Sequence, residues 1–474
     1  MPTYRVPIIN KVQKNTEESS VRDALTDLTD CYVNEDLAVV KRPCLLEWKD
    51  LSTSACVDGI FYWQEQDLVI SISNQTVYKT NTLLTTTNIG TISGSVGGRV
   101  SFTNTKLGGA HVLAFSHGSS IYYTDGNSVT EITDAEAPTN STHVAFLDGY
   151  LISNDDSGVN SGTFFWSDIN SPDTWSAASF QDANGSADDI VSVNKGWREL
   201  LVVGQKSNEV YYDDGVTPWV RYPGSEAQRG CSAGHTVTFV DNTWYWLDNT
   251  HRFIRLEGRI PKIISTPFDK EIASFAEVTD AYSDSIHFEG QQFYVTHFPT
   301  ADRTFAYNIR MDYWMEWGEW DSTDGSYKRW RGNNFTYHET LNKQLVGDKT
   351  NGKIYEMSSD VYQDNATTCR SYFKTAKMDL GTQNRKRFKR FKSRIRRSDK
   401  TNIGDIIYRY RTDRSDVWSN IVILTDRMDE EPGSRWVQGT LGFSGRMVQL
   451  EFYHSDSSPF QMQDILIEYD EMPN

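Results

Sequence analysis

Long apolar runs, paired cysteines, clustered histidines and an excess of cations are all missing from this 474-residue chain. No stretch approaches about eighteen consecutive apolar residues, and no charged start leads into an apolar segment. Neither a membrane helix nor a secretion signal is therefore visible, and folding in a cytoplasm is expected. Cys31, Cys44, Cys56, Cys231 and Cys369 are odd in number, far apart and free of CxxC or CxC spacing. That excludes a disulfide framework or zinc knuckle and leaves reduced, small apolar residues. The nine histidines are scattered with no close pair beside a carboxylate, so no metal centre is expected. The patterns GxxxxGK[ST], HExxH, GxSxG and a helix-opening GxGxxG are absent, and with them the common routes to a cofactor site or a catalytic nucleophile. Neither a cofactor nor an enzymatic activity is expected. Cations are outnumbered 47 to 64, a formal charge of −17 that disfavours non-specific adhesion to nucleic acid or anionic membranes. An acidic wall would still let DNA slide past.

Helical periodicity is scarce as well. What replaces it are short runs of Val, Ile, Thr, Tyr, Phe and Trp broken by Gly, Asn, Asp and Ser, the pattern of an all-β protein. Paired-strand segments recur seven times between residues 59 and 357, each an apolar strand, a polar turn and a second strand carrying an aromatic. The markers Tyr78, Tyr122, Phe165, Tyr211, Phe253, Phe305 and Tyr355 fall 42 to 52 residues apart. A period of about 40 to 50 residues with about four strands per unit predicts a β-propeller, because one blade cannot bury both faces of its sheet and stacked blades can. Six or seven blades fit residues 50–360. Residues 1–49 read as an N-terminal arm and entry strand, with NKVQKNTEESSVRDALTDLTD helical or extended. Residues 361–474 alternate strictly in GDIIYRYRTD, RWVQGTLGFSGRMVQLEFYHS and DILIEYDE, which predicts a C-terminal antiparallel β-sandwich-like domain.

Four features carry potential chemistry. FFWSDINSPDTW (164–175) crowds aromatics and carboxylates; its repeat position makes Asp168 to Asp173 a turn satisfying backbone donors, with Trp175 pinning the outgoing loop. The doublets Asp155-Asp156, Asp188-Asp189 and Asp213-Asp214 could be glycosidase carboxylates, but each sits where Asp caps a turn by bonding the backbone two residues on. DYWMEWGEWD (312–321) could stack on sugars, or could fill a core or an interface. The sharpest charge feature is RKRFKRFKSRIRR, in which Arg385, Lys386, Arg387, Lys389, Arg390, Lys392, Arg394, Arg396 and Arg397 are candidates for partner contact. Phe391, Ser393 and Ile395 share one face of a strand, and Lys392, Arg394 and Arg396 the other. Such a strand is either a solvated edge protected by charge or a contact for a polyanion or an acidic protein, and both readings stay open.

The order of several motifs resembles the tail hub, or nozzle, proteins of short-tailed bacteriophages, known in some of them as packaged-DNA stabilisation proteins. Gly149-Tyr150, Phe165, Ser167-Asp168, Pro172, Thr174-Trp175 and Asp188 follow that family's strand and turn order, continued by Arg198-Glu199-Leu200, Gly204, Glu209-Val210-Tyr211 and Gly215. Gly258, Pro261 and Ile264-Ser265-Thr266 match a later turn; Gly290 to Tyr294, Thr304, Tyr307 and Trp314 match the next strands; Gly347-Asp348, Gly352 and Ile354-Tyr355 resemble a blade ending. Asp30 to Asn34 and Arg42-Pro43 resemble the entry segment. Cys44 stands where Gly is usual, Asp182-Ala183-Asn184 lacks the family's Ala-Glu, and Gln291 replaces a common His. The resemblance covers about residues 30–357. It implies a virion tail protein, made in the host cytoplasm, that forms a homohexameric ring below the portal and adaptor and extends the DNA ejection channel. It further implies help in retaining packaged DNA, docking of a needle or plug and of fibres or tailspikes, transient passage of double-stranded DNA, and no membrane insertion. A polysaccharide-degrading or carbohydrate-binding propeller is the alternative.

Overall fold

The computed structural model describes residues 2–6, 25–183, 185–215, 218–264, 267–397, 405–413, 415–424 and 433–472. Seven four-stranded antiparallel units make a β-propeller. Six are contiguous in sequence: residues 57–91, 101–131, 144–182, 190–221, 238–263 and 282–316. The seventh takes Gly332–His338, Lys343–Asp348 and Lys353–Ser358 from one end of the propeller and its fourth strand, Cys44–Asp50, from the other. Each first strand lies against the first strand of the next blade, and the seventh against the first, so the ring closes. All seven marker aromatics stand on the third strand of their blade.

The apolar clusters sit between blades. Trp63, Ile70 and Ile72 of blade 1 meet Leu113, Phe115 and Tyr122 of blade 2; Leu201 and Val210 of blade 4 meet Trp244 and Trp246 of blade 5. This is the stacking that the period demanded: each sheet hides its apolar faces on its neighbours, which leaves short, protected edges. Hairpins are turned by residues that tolerate positive φ, such as Asp241 (50°) with Asn242 (59°) and Glu289 (46°) with Gly290 (74°), the paired left-handed conformation of a two-residue hairpin.

Outside the propeller, two sheets face each other. One runs Cys31–Val33, Val39–Lys41, Gln461–Glu471, Lys386–Arg397 and Gly433–Gly445, with Thr3–Arg5 also on Gln461–Glu471. The other runs Leu25–Thr29, Ser371–Thr375, Val448–His454, Ile406–Thr412 and Val422–Leu424. Phe391 from the first packs edge-on against Tyr408 and Phe452 from the second. The second sheet is also continuous with blade 6, because Leu25–Thr29 pairs in parallel with Tyr313–Glu316, its outermost strand. Of the arm segment 10–30, residues 10–24 lie outside the described residues and Leu25–Thr29 is a strand.

A buried ionic knot ties these parts together. Arg42 donates through Nε to Asp30 (2.7 Å) and through its two terminal nitrogens to Asp364 (3.1 and 2.5 Å). Asp364 also accepts the Leu45 amide and the Trp330 indole N–H, both at 3.1 Å, and Asp30 the Gly318 amide at 2.9 Å. The entry segment, the connection between blades 6 and 7, the seventh blade and Asp364 thus share one charge network. Burial lifts the Asp30 carboxyl to about 6 although Arg42 pulls it down.

Candidate functional site

Sequence Lys386–Arg397 forms a twelve-residue strand, as its alternation suggests: Lys386, Phe388, Phe391, Ser393 and Ile395 point inward and are buried, while Arg387, Lys392 and Arg394 point out. The edge-strand reading is corrected. The strand is interior, paired on one side with Gly433–Gly445 and on the other with Gln461–Glu471. A central strand needs no charge to block a free edge, so its outward cations require another account.

Pairing across the sheet accounts for part of them. Lys389 contacts Asp470 at 2.6 Å, and Arg390 and Lys392 share Glu468, each at 2.6 Å. Those two cations hold the Glu468 carboxyl below its ordinary value. Lys386 is buried and not presented at all; its ammonium donates to the carbonyls of Thr382, Asn384 and Arg446 at 2.5, 2.9 and 2.9 Å. Arg385, Arg387 and Arg394 are exposed and have no carboxylate within ion-pair distance among the described residues. The side chains of Arg396 and Arg397 lie outside the description. Opposite Arg394 stands Trp436, 53% exposed, which sequence reasoning missed. The signal was available, since Trp436 is on the outward phase of the alternating RWVQGTLGF.

The other candidates resolve differently. Trp314 and Trp317 are buried, and Trp320 lies under the Arg370 guanidinium, 3.7 Å from its ring centroid. DYWMEWGEWD is therefore core and not a sugar platform. Asp155 accepts the Ser157 amide (3.0 Å) and Asp213 the Gly215 amide (2.7 Å), turn caps two residues on. Asp188 accepts the amides of Lys206 (2.5 Å) and Ser207 (2.9 Å), and Asp189 the Ser161 hydroxyl (2.5 Å) and the Gln205 amide nitrogen (3.1 Å). In 164–175 the Trp175 half of the reading holds: the indole is buried and donates to the Pro172 carbonyl at 2.9 Å. The carboxylate half does not. Asp168 and Asp173 are exposed, and it is Asp134 that accepts the Trp175 amide, at 3.1 Å.

At one end of the first strands, polar side chains crowd the propeller axis. Arg99, ahead of blade 2, reaches across to blade 7, donating to Asn334 Oδ1 (2.7 Å) and the Asn333 carbonyl (3.2 Å) while lying on the Tyr282 ring of blade 6. His143 and His235 pack beside it with tilted rings, their centroids 4.2 Å apart. Burial drops His143 to about 4 and lifts Asp284 to about 7. At the opposite end, a groove of about 920 Å³ is lined by Tyr337, His287, Asn342, Gln292, Glu289 and Asp360, among others. Some of these groups are already engaged: Tyr337 donates to Asn342 within the groove, and Glu289 accepts from Tyr32 behind it at 2.8 Å. Among the described residues, no group of three or more His, Cys, Asp or Glu side chains is arranged to hold a metal ion, and no helix is long and apolar enough to cross a membrane.

A family model described as bacteriophage P22 Gp10, beta-propeller, matches residues 49–362, about two thirds of the chain. No curated protein matches. Among solved structures, the N-terminal domain of Nup159 is 9% identical over 66% of this chain and 94% of its own, with a TM-score of 0.41. PorZ, a type-IX secretion component of Porphyromonas gingivalis, is 9% identical over 71% of this chain and 42% of its own, at 0.36. An auxiliary nutrient binding protein from Bacteroides thetaiotaomicron is 10% identical over 64% and 69%, also at 0.36. Scores this low carry no argument about function.

Proposed function

The chain belongs to the bacteriophage P22 Gp10 β-propeller family of phage structural proteins, and from that membership we propose that it is the tail hub, or nozzle, of a short-tailed phage. In this reading it assembles as a homo-oligomeric ring, hexameric by the family resemblance, below the portal and adaptor. The ring extends the ejection channel, helps retain packaged DNA, and docks a needle or plug with fibres or tailspikes.

The observation that carries the reading is the continuity of blade 6 with the C-terminal sheet, locked by the Arg42 knot. A propeller welded to a sandwich is a stiff building block, which suits a part that must hold genome pressure more than one that opens around a substrate. Arg99 and its neighbours crowd the propeller's own axis, which favours a DNA passage lying between copies. A wall at −17 per copy would repel phosphate and keep leaving DNA from sticking. The groove beside Tyr337, with ring, amide and carboxylate groups in reach of one ligand, supports carbohydrate binding as a second reading.

The test is genetic. An amber mutation in the gene should give heads that fill and then lose DNA, read as nuclease-sensitive genome, with tails missing beyond the adaptor. Complete, DNA-retaining particles made without the protein would overturn the reading.

A further inference from the structure

The basic sheet face has a counterpart on the same chain. Blades 3 and 4 bring Asp155, Asp156 and Asp189 together at the loops that follow Tyr150–Asn154 and precede Ile190–Lys195. None of the three has a Lys or Arg within ion-pair distance among the described residues; Asp155 is buried under the loop, Asp189 is partly exposed and Asp156 is exposed. Packing, and then repulsion from Asp189 and Asp155, hold the Asp156 carboxyl above its ordinary value, as expected of carboxylates left to face one another. The loop that begins there presents Val159, 86% exposed. Among the described side chains of the basic run, Arg385, Arg387 and Arg394 have no ion pair, and Trp436 is exposed opposite Arg394. Arg387 and Arg394 are seven strand positions apart, about 23 Å at about 3.3 Å per residue.

Their placement decides what kind of contact they can make. The sheet that carries the basic strand packs, through Phe391, on the sheet that continues blade 6, whereas the acidic loop belongs to blades 3 and 4, two to three blades round the ring. Two complementary patches on different sides of one subunit cannot pair as an isologous dimer; they pair head to tail, and such contacts close into rings or run on as filaments. We propose that the acidic loop presenting Asp156 and Asp189 of one copy docks on the Arg387, Arg394 and Trp436 face of the next. This rests on the ring reading above and names its contact. Copies at −17 repel one another overall, so a local match of opposite charge is what would orient them. Exposed Trp and Arg are also the residues most often found at the energetic centre of protein interfaces. DNA is the poorer occupant, because Glu468 and Asp470 sit among the same cations and would face its phosphates.

A charge swap followed by analytical ultracentrifugation of the full chain tests this. Arg387→Glu with Arg394→Glu should weaken self-association about tenfold or more, and Asp156→Lys with Asp189→Lys should do the same. One chain carrying all four changes should regain association, since its patches are again complementary. Asp156→Lys alone touches no hydrogen bond of the loop and gives a smaller effect free of folding damage, with circular dichroism and thermal melting as controls. Wild-type rings insensitive to either reversal, or a fourfold variant no better than the two double variants, would overturn this contact and leave the ring reading standing. A wild-type chain that stays monomeric overturns both.

Discussion

Replacing Arg42 by Met should be among the costliest single changes in this molecule. The guanidinium makes four hydrogen bonds, to Asp30, to both oxygens of Asp364 and to the Pro43 carbonyl, and all three charged side chains are at most 2% exposed. Met fills a similar volume, so the main loss is the charge, and two carboxylates stay buried without a cation. Breaking a buried pair from one side costs about 3 to 5 kcal/mol. Two carboxylates argue for the upper end, and the Gly318, Leu45 and Trp330 N–H donors that remain keep it from rising further. The deficit should also depend on pH. Asp30 already titrates near 6 in the folded chain because of burial, above the ordinary 3.8. Loss of Arg42 removes the charge that pulls it down, so it rises further. A carboxyl with a raised folded pKa binds its proton more tightly folded than unfolded, so stability is regained on acidification and lost as pH climbs through the folded value. Urea unfolding followed by Trp fluorescence should therefore show a deficit of about 3 to 5 kcal/mol at pH 8 that shrinks by pH 5. A deficit below about 1 kcal/mol, or one equal at both pH values, would refute the reasoning.

Three further expectations use other parts of the fold. Phe305→Ala, at a fully buried third-strand aromatic, should destabilise by about 3 to 5 kcal/mol, and Tyr78→Ala, at a half-buried one, by clearly less; equal losses in denaturant titrations would contradict the inter-blade account. Thiol titration with Ellman's reagent at pH 8 should find no fast-reacting cysteine in the native protein and five after unfolding. Four of the thiols are buried, and burial, then Asp58, push the fifth, Cys56, up to about 12. A chain beginning at residue 51 lacks the strand that completes blade 7. It should be cut by protease within residues 332–358 under conditions that leave the full chain intact; equal resistance would show that the ring does not depend on Cys44–Asp50.

Much of the architecture is legible in the sequence because it is repeated. The seven aromatics mark third strands since every blade faces the same packing problem at the same point in its period. That Cys44–Asp50 completes blade 7 is not legible, because its partner Lys353–Ser358 lies some 300 residues away and local pattern carries no pairing information. The continuity of blade 6 with the C-terminal sheet is hidden for the same reason. At the basic strand, alternation reveals the outward phase of Lys392 and Arg394, but whether a strand is interior depends on neighbours from elsewhere in the chain, Gln461–Glu471 and Gly433–Gly445. Composition misleads where tertiary contacts decide: DYWMEWGEWD resembles a sugar platform until Trp314 and Trp317 are seen buried, and Asp168 and Asp173 resemble turn caps until Asp134 takes that role.

The central proposal is that this propeller builds a ring in the phage tail. Mass photometry of the purified protein, alone and with the phage's adaptor complex, tests it most directly. Six copies of 54.1 kDa give about 325 kDa. A closed species near that mass, alone or added to the adaptor's mass, is the predicted result. A single peak at the mass of one chain in both samples would contradict it.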